Sequence, residues 1–145
     1  MSWDQLYAFA QTTPLLSAAF VVLTAAVVIT ELKRRLSGVA SVSPAQATAL
    51  INREDALVVD VSPVADFAKS HILGSVSAPL ADLDPDKHKQ LSKAKERPVV
   101  LVCRSGQNAF EAAKRLKAAG FTRVSVLDGG IAGWKAADLP LGKGR

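Results

Sequence analysis

Cys103 is the chain's only cysteine, and the residues after it, Arg104-Ser105-Gly106-Gln107-Asn108, form a short polar run unlike what precedes them. Before it stand Val99, Val100, Leu101 and Val102, a β-favouring apolar run that reads as a strand buried on both faces of a parallel sheet. From Asn108 onward the pattern turns helical: Ala109, Ala112, Ala113 and Leu116 share one face, and Gly120 ends the run. Cys103 is therefore expected where a strand ends and a loop opens a helix. The unpaired amides and partial positive charge of a helix N-terminus stabilise an anion, and the thiolate is the nucleophilic form of cysteine. A lone cysteine behind a strand can also be a small buried hydrophobe. The charge and the glycine turn beside Cys103 favour the chemical reading, because neither suits a core.

Two other polar residues bear on the same chemistry. Leu57 to Val61 reads as a second buried strand with Asp60 at its end, and an acid finishing a parallel strand lies on the edge where open α/β sheets carry their sites. His71 is a candidate general base, since Cys–His pairs activate thiols; the competing reading makes it scaffold. His71 and His88 are far apart in sequence and there is no second cysteine, so neither a metal cluster, a disulfide nor a CxxC redox pair is expected, and no cofactor is implied. A lone reactive thiol suits a reducing compartment. The net charge is +5, but the lysines and arginines are scattered without interleaved aromatics, which argues against nucleic-acid binding. Lys87, Lys89, Lys93 and Lys95 can be read as a patch for lipid headgroups. Interspersed Asp82, Asp84, Asp86 and Glu96 favour a solvated helix face, with Asp84-Pro85 as a turn or helix start and His88 exposed.

The elements needed to position Cys103 follow in order. Val39 to Val42 reads as a first strand, and Ser43-Pro44 as the N-cap and first residue of a helix. A short strand precedes Ala78-Pro79-Leu80. Phe121 to Leu127 is a last strand, followed by Asp128-Gly129-Gly130-Ile131-Ala132-Gly133-Trp134. These glycines lack the Gly-x-Gly-x-x-Gly spacing and the acidic partner of a dinucleotide loop. The alternation predicts a doubly wound α/β domain of about five mostly parallel strands with helices on both faces.

The N-terminus is of another kind. Pro14 to Thr30 contains no charged residue. Extended back toward Ala8, the uncharged run is long enough to cross a bilayer, which takes about 20 helical residues. Glu31 ends the run and Lys33-Arg34-Arg35 follows, while Trp3, Tyr7 and Phe9 flank the other side as interfacial aromatics do. A cleaved signal peptide would carry its positive charge before the apolar run, and a core helix would show a polar face. The reading is a single transmembrane helix over about 13–32 within an anchor of residues 1–35, then a linker over 36–41, a domain over 42–141 and a tail over 142–145. The basic flank predicts a single-pass protein of the inner (cytoplasmic) membrane, with its N-terminus outside and its domain in the cytoplasm.

Three stretches resemble one family. Cys103-Arg104-Ser105-Gly106-Gln107-Asn108 is similar to the six-residue active-site loop of rhodanese-like sulfurtransferases. Asp60, Asp66, Phe67, His71, Ile72 and Gly74 match that family's pattern of Asp-Val-Arg, a helix with an acid and an aromatic, then Gly-His-Ile-x-Gly-Ala, with Ser62 and Ser70 replacing an arginine and a glycine. Asp128-Gly129-Gly130 through Trp134 resembles the family's closing motif. The loop departs from many single-domain members at Asn108, where they carry a second arginine, so its positive field is weaker.

The resemblance implies a rhodanese-like domain whose Cys103 carries a sulfane sulfur as a persulfide, from a small donor such as thiosulfate to a thiol or cyanide acceptor. It implies that Arg104, Ser105, Gly106, Gln107 and Asn108 bind substrate and that Asp60 and His71 give structural support. The same fold hosts phosphatases, but those need Cys-x5-Arg, and six residues after Cys103 stands Ala109. The remaining alternative is a membrane-tethered interaction module with weak or no catalysis, docking a membrane-protein partner.

Overall fold

The structure, a computed structural model, describes residues 2–36, 38–104 and 107–144, without the side chains of Arg34 and Gln107. It divides into two compact units, Met1–Gly38 and Val39–Arg145. The first holds two helices, α1 (Trp3–Thr12) and α2 (Pro14–Leu36). Most of the residues before Pro14, outside the expected span of about 13–32, are thus helical as well. Proline disfavours helical geometry in the residue before it, and Thr13 accordingly leaves the helix (φ −133, ψ 66), separating α1 from α2. The candidate span, Pro14–Lys33, has 20 residues, about 30 Å of helix and the thickness of a hydrocarbon core. Its threonine hydroxyls donate to carbonyls one turn back, Thr24 to Phe20 at 2.8 Å and Thr30 to Ala26 at 2.7 Å, which satisfies both within the helix itself. The helix runs on past the expected end near residue 32, where Glu31 pairs with Arg35 one turn later at 3.2 Å.

The second unit runs β1 (Ala40–Val42), α3 (Pro44–Glu54), β2 (Leu57–Asp60), α4 (Val64–Lys69), β3 (His71–Ile72), β4 (Val76–Ser77), β5 (Val99–Val102), α5 (Gln107–Ala118), β6 (Val124–Leu127), α6 (Gly130–Ala136) and β7 (Leu141–Gly142). Five strands form one parallel sheet in the order β1-β6-β5-β2-β4. Strand alternation divides the core in two. Val59, Leu101 and Val126 meet Ala109, Ala112, Ala113 and Leu116 of α5. Val58, Val100, Val102 and Leu127 meet Ala47 and Leu50 of α3 and Trp134 of α6. Both faces are covered, as uninterrupted apolar strands require. Ser43 opens α3 with a reciprocal cap: its Oγ accepts from the Gln46 amide at 3.2 Å and its own amide donates to Gln46 Oε1 at 2.9 Å.

Three expectations need correction. Residues 82–96 form successive turns rather than an α-helix: only Leu91 and Ala94 are fully buried, with Leu83 partly buried against the same cluster, too few positions for a helical stripe. His88 is half-buried there, donating from Nε2 to the Ser77 carbonyl at 3.2 Å and accepting at Nδ1 from the Gln90 and Leu91 amides, each at 3.3 Å. The chain end is not an open tail from Gly142: β7 pairs antiparallel with β3, and the Gly144 amide donates to the Ala68 carbonyl at 2.9 Å.

Candidate active site

Strand β5 is the centre of the sheet, flanked by β6 and β2. Its last residue, Val102, is in register with Asp60 at the end of β2, so Cys103 and Asp60 share one carboxyl edge. From β2 the chain moves through α4 to β4 on one side, and from β5 through α5 to β6 on the other. Adjacent strands with diverging exits open a crevice between them, the position open α/β sheets use for ligands. Cys103 directly follows β5 at that switch point, and α5 begins shortly after it at Gln107.

Cys103 is only 2% exposed and packs in the apolar cluster that contains Val61, Ala78 and Ala109. Its backbone is fixed by α6. The Ile131 amide donates to the Cys103 carbonyl at 3.1 Å. Gly130 has φ +59, and a Cβ there would overlap the Cys103 carbonyl oxygen and come within 2.7 Å of the Arg104 oxygen. The second glycine of Asp128-Gly129-Gly130 thus lets the turn into α6 press against the backbone of the cysteine. The sequence marks that glycine pair as a sharp turn but gives no sign of this contact.

Arg104 is exposed, and its Nη2 donates to Asp66 Oδ1 of α4 at 3.1 Å. Asp66 was visible in sequence only as part of a scaffold pattern, yet it meets the one charged residue of the loop. Asn108 lies exposed in the first turn of α5. Ser105, Gly106 and the side chain of Gln107, all expected to bind substrate, lie outside the described residues.

Asp60 is buried, with Oδ1 accepting from the Ser62 amide at 2.9 Å. The Ala78 amide donates to its backbone carbonyl at 2.9 Å, tying the end of β2 to the chain leaving β4. Its other carboxyl oxygen and the hydroxyl of Ser62 are buried without a hydrogen-bond partner among the described residues. His71 lies away from this arrangement of bonds. Its Nδ1 is 2.8 Å from the Phe67 carbonyl, which can only accept, so that nitrogen carries the proton. The ring stacks on Phe67 at 3.9 Å between centroids. His71 therefore joins α4 to β3, and its hydrogen bond goes to Phe67 rather than to Cys103.

Residues 43–137 match the model of the rhodanese-like domain. The chain belongs to the rhodanese-like family. This rhodanese-like chain is 39% identical over 142 residues to the uncharacterized protein YibN of Escherichia coli K12, an alignment spanning 98% of this chain and 99% of that one. It is 31% identical over 96 residues to the thiosulfate sulfurtransferase GlpE of Pseudoalteromonas translucida, covering 66% of this chain and 89% of the relative. Among solved structures, the thiosulfate sulfurtransferase of Pseudomonas aeruginosa superposes with a TM-score of 0.65 at 28% identity. That match covers 73% of the rhodanese-like chain but only 20% of the much longer neighbour. The likeness to YibN takes in the N-terminal helices as well as the domain, whereas the likeness to GlpE is confined to a length close to that of the domain alone.

Proposed function

We propose that this protein is a membrane-tethered sulfurtransferase in which Cys103 carries the sulfur. The observation that carries the reading is the position of the sole cysteine at the carboxyl end of the central strand, shortly before α5. The Cys103 thiolate attacks the outer sulfur of a sulfane donor; the donor's S–S bond breaks and its remainder leaves with the electron pair. A persulfide anion remains on Cys103, held by loop amides and the N-terminus of α5. A thiophilic acceptor, cyanide or a thiolate, then attacks the outer sulfur and regenerates the thiolate. Arg104 and the loop through Asn108 meet the donor, while Asp60 and His71 hold the surrounding chain. Helix α2 crosses the inner membrane, and Lys33, Arg34 and Arg35 keep the domain on the cytoplasmic side.

A second reading has one observation in its favour. A side chain 2% exposed within an apolar cluster fits an interaction module whose cysteine is structural. The two readings part in one experiment. Full-length protein in detergent is incubated with thiosulfate or a persulfide donor, then measured by intact mass before and after cyanide. The expected result is a gain of one sulfur atom on the wild type, lost to cyanide as thiocyanate, and no gain on Cys103→Ser. Wild-type protein that stays at its original mass with every donor supports the interaction module instead.

A further inference from the structure

The charge balance around Cys103 bears on which donors reach it. The described residues of the active-site loop carry one cation, Arg104, and it is engaged by Asp66. The side chains are 58% and 29% exposed respectively, so the pair contributes little to stability. Its effect is on the field at the mouth of the site, where the carboxylate offsets the guanidinium. The neighbouring strand end contributes the carboxyl of Asp60, one oxygen of which has no partner among the described residues. Asn108, in the first turn of α5, brings no charge. A ligand approaching Cys103 therefore meets a cation already neutralised by α4.

We propose that Asp66 acts as a charge filter: by holding Arg104, it makes the site favour sulfane donors of low negative charge, such as monoanionic thiosulfonates and persulfides, over the dianion thiosulfate. The proposal rests on the sulfurtransferase reading for the identity of the donors but not for the field itself. Asp66 is a positioning residue, acting through Arg104. Removing its charge while keeping its shape leaves Arg104 in place and uncompensated, and a uncompensated unit charge attracts a dianion more than a monoanion.

The test uses the full chain in detergent, as wild type, Asp66→Asn and Asp66→Glu. Transfer to cyanide is measured as kcat/KM with thiosulfate and with benzenethiosulfonate, whose S–S cleavage releases sulfite and benzenesulfinate respectively. Intrinsic differences between donors cancel when the thiosulfate-to-thiosulfonate ratio is compared across variants. Asp66→Asn is expected to raise that ratio about fivefold at low salt, fading as added salt screens the exposed pair; Asp66→Glu should stay near the wild type. An unchanged ratio in Asp66→Asn overturns the filter, whatever happens to the absolute rates, because a merely structural role would slow both donors together.

A second readout separates this proposal from the one it rests on. Since Cys103 is the only cysteine, its alkylation by anionic iodoacetate and neutral iodoacetamide can be followed by mass without ambiguity. If no variant transfers sulfur, the sulfurtransferase reading falls, and the alkylation ratio decides the filter. A rise of about threefold in iodoacetate relative to iodoacetamide for Asp66→Asn upholds it, and a constant ratio sinks it.

Discussion

At Gly130 the backbone conformation and the space available make the same demand. Its φ is +59, where a side chain is strained, and a Cβ would strike the carbonyl oxygens of Cys103 and Arg104. These are backbone atoms, which cannot rotate aside. Gly120 has an equally unfavourable φ of +99 but nothing within 4 Å of an added Cβ. The pair gives a controlled comparison. Gly120→Ala should cost about 1 kcal/mol in urea denaturation, from backbone strain alone. Gly130→Ala should cost at least about 3 kcal/mol and, by moving Cys103, reduce persulfide formation more than tenfold. Equal stability of the two variants would show that α6 does not brace the cysteine. The cysteine itself and the glycine pair were legible in the sequence, each as a local pattern. Their contact was not, because it arises where the chain leaving β6 meets the chain leaving β5. The ion pair of Arg104 with Asp66, 38 residues apart in sequence, was hidden for the same reason.

Strands and helices with a complete apolar pattern were readable before the fold was known: β2, β5 and β6 as uninterrupted runs, α5 by its spacing, α3 by Ser43-Pro44. What escaped had too little pattern to read. Strands β3 and β7 have two residues each, shorter than any periodicity. The segment 82–96 looks solvated throughout, since its charges dominate; the exposed cations Lys87 and Lys95 pair with Asp84 and Asp86 at 3.5 and 3.2 Å. Yet this segment covers the same sheet face as α5, through Leu91 and Ala94, both 0% exposed. Leu91→Ala should therefore destabilise the domain by about 2–4 kcal/mol, the range for a buried leucine truncated in a packed core. Lys89→Ala, on the solvent side of the same segment, should stay within about 0.5 kcal/mol of the wild type. Chemical denaturation followed by Trp134 fluorescence measures both, and matching midpoints would mean that residues 82–96 are not part of the cooperative core.

The two units of the molecule solve opposite burial problems. The domain from Val39 onward hides its apolar residues on the two faces of its own sheet. Helix α2 hides nothing: its span is 0% buried, and Leu15, Leu16 and Phe20 are 87%, 64% and 72% exposed. A surface of that size and composition is stable only in contact with lipid or another apolar partner. Orientation then follows from the charges at its ends. Beyond the span stand Arg34 and Arg35, with Lys33 as its last residue, whereas α1 has Asp4 as its only charged side chain. In the orientation proposed above the basic end stays cytoplasmic, which would put the thiol in a reducing compartment where a persulfide carrier would be regenerated rather than trapped as a disulfide. A fluorescent reporter that matures only in the cytoplasm should therefore light up when fused after the domain, and an alkaline phosphatase that needs the oxidising side should stay inactive at the same position. Replacing Lys33, Arg34 and Arg35 with Gln should weaken that preference and let some phosphatase activity appear. An active phosphatase on the unaltered chain would reverse the orientation and, with it, the compartment in which Cys103 meets its donor.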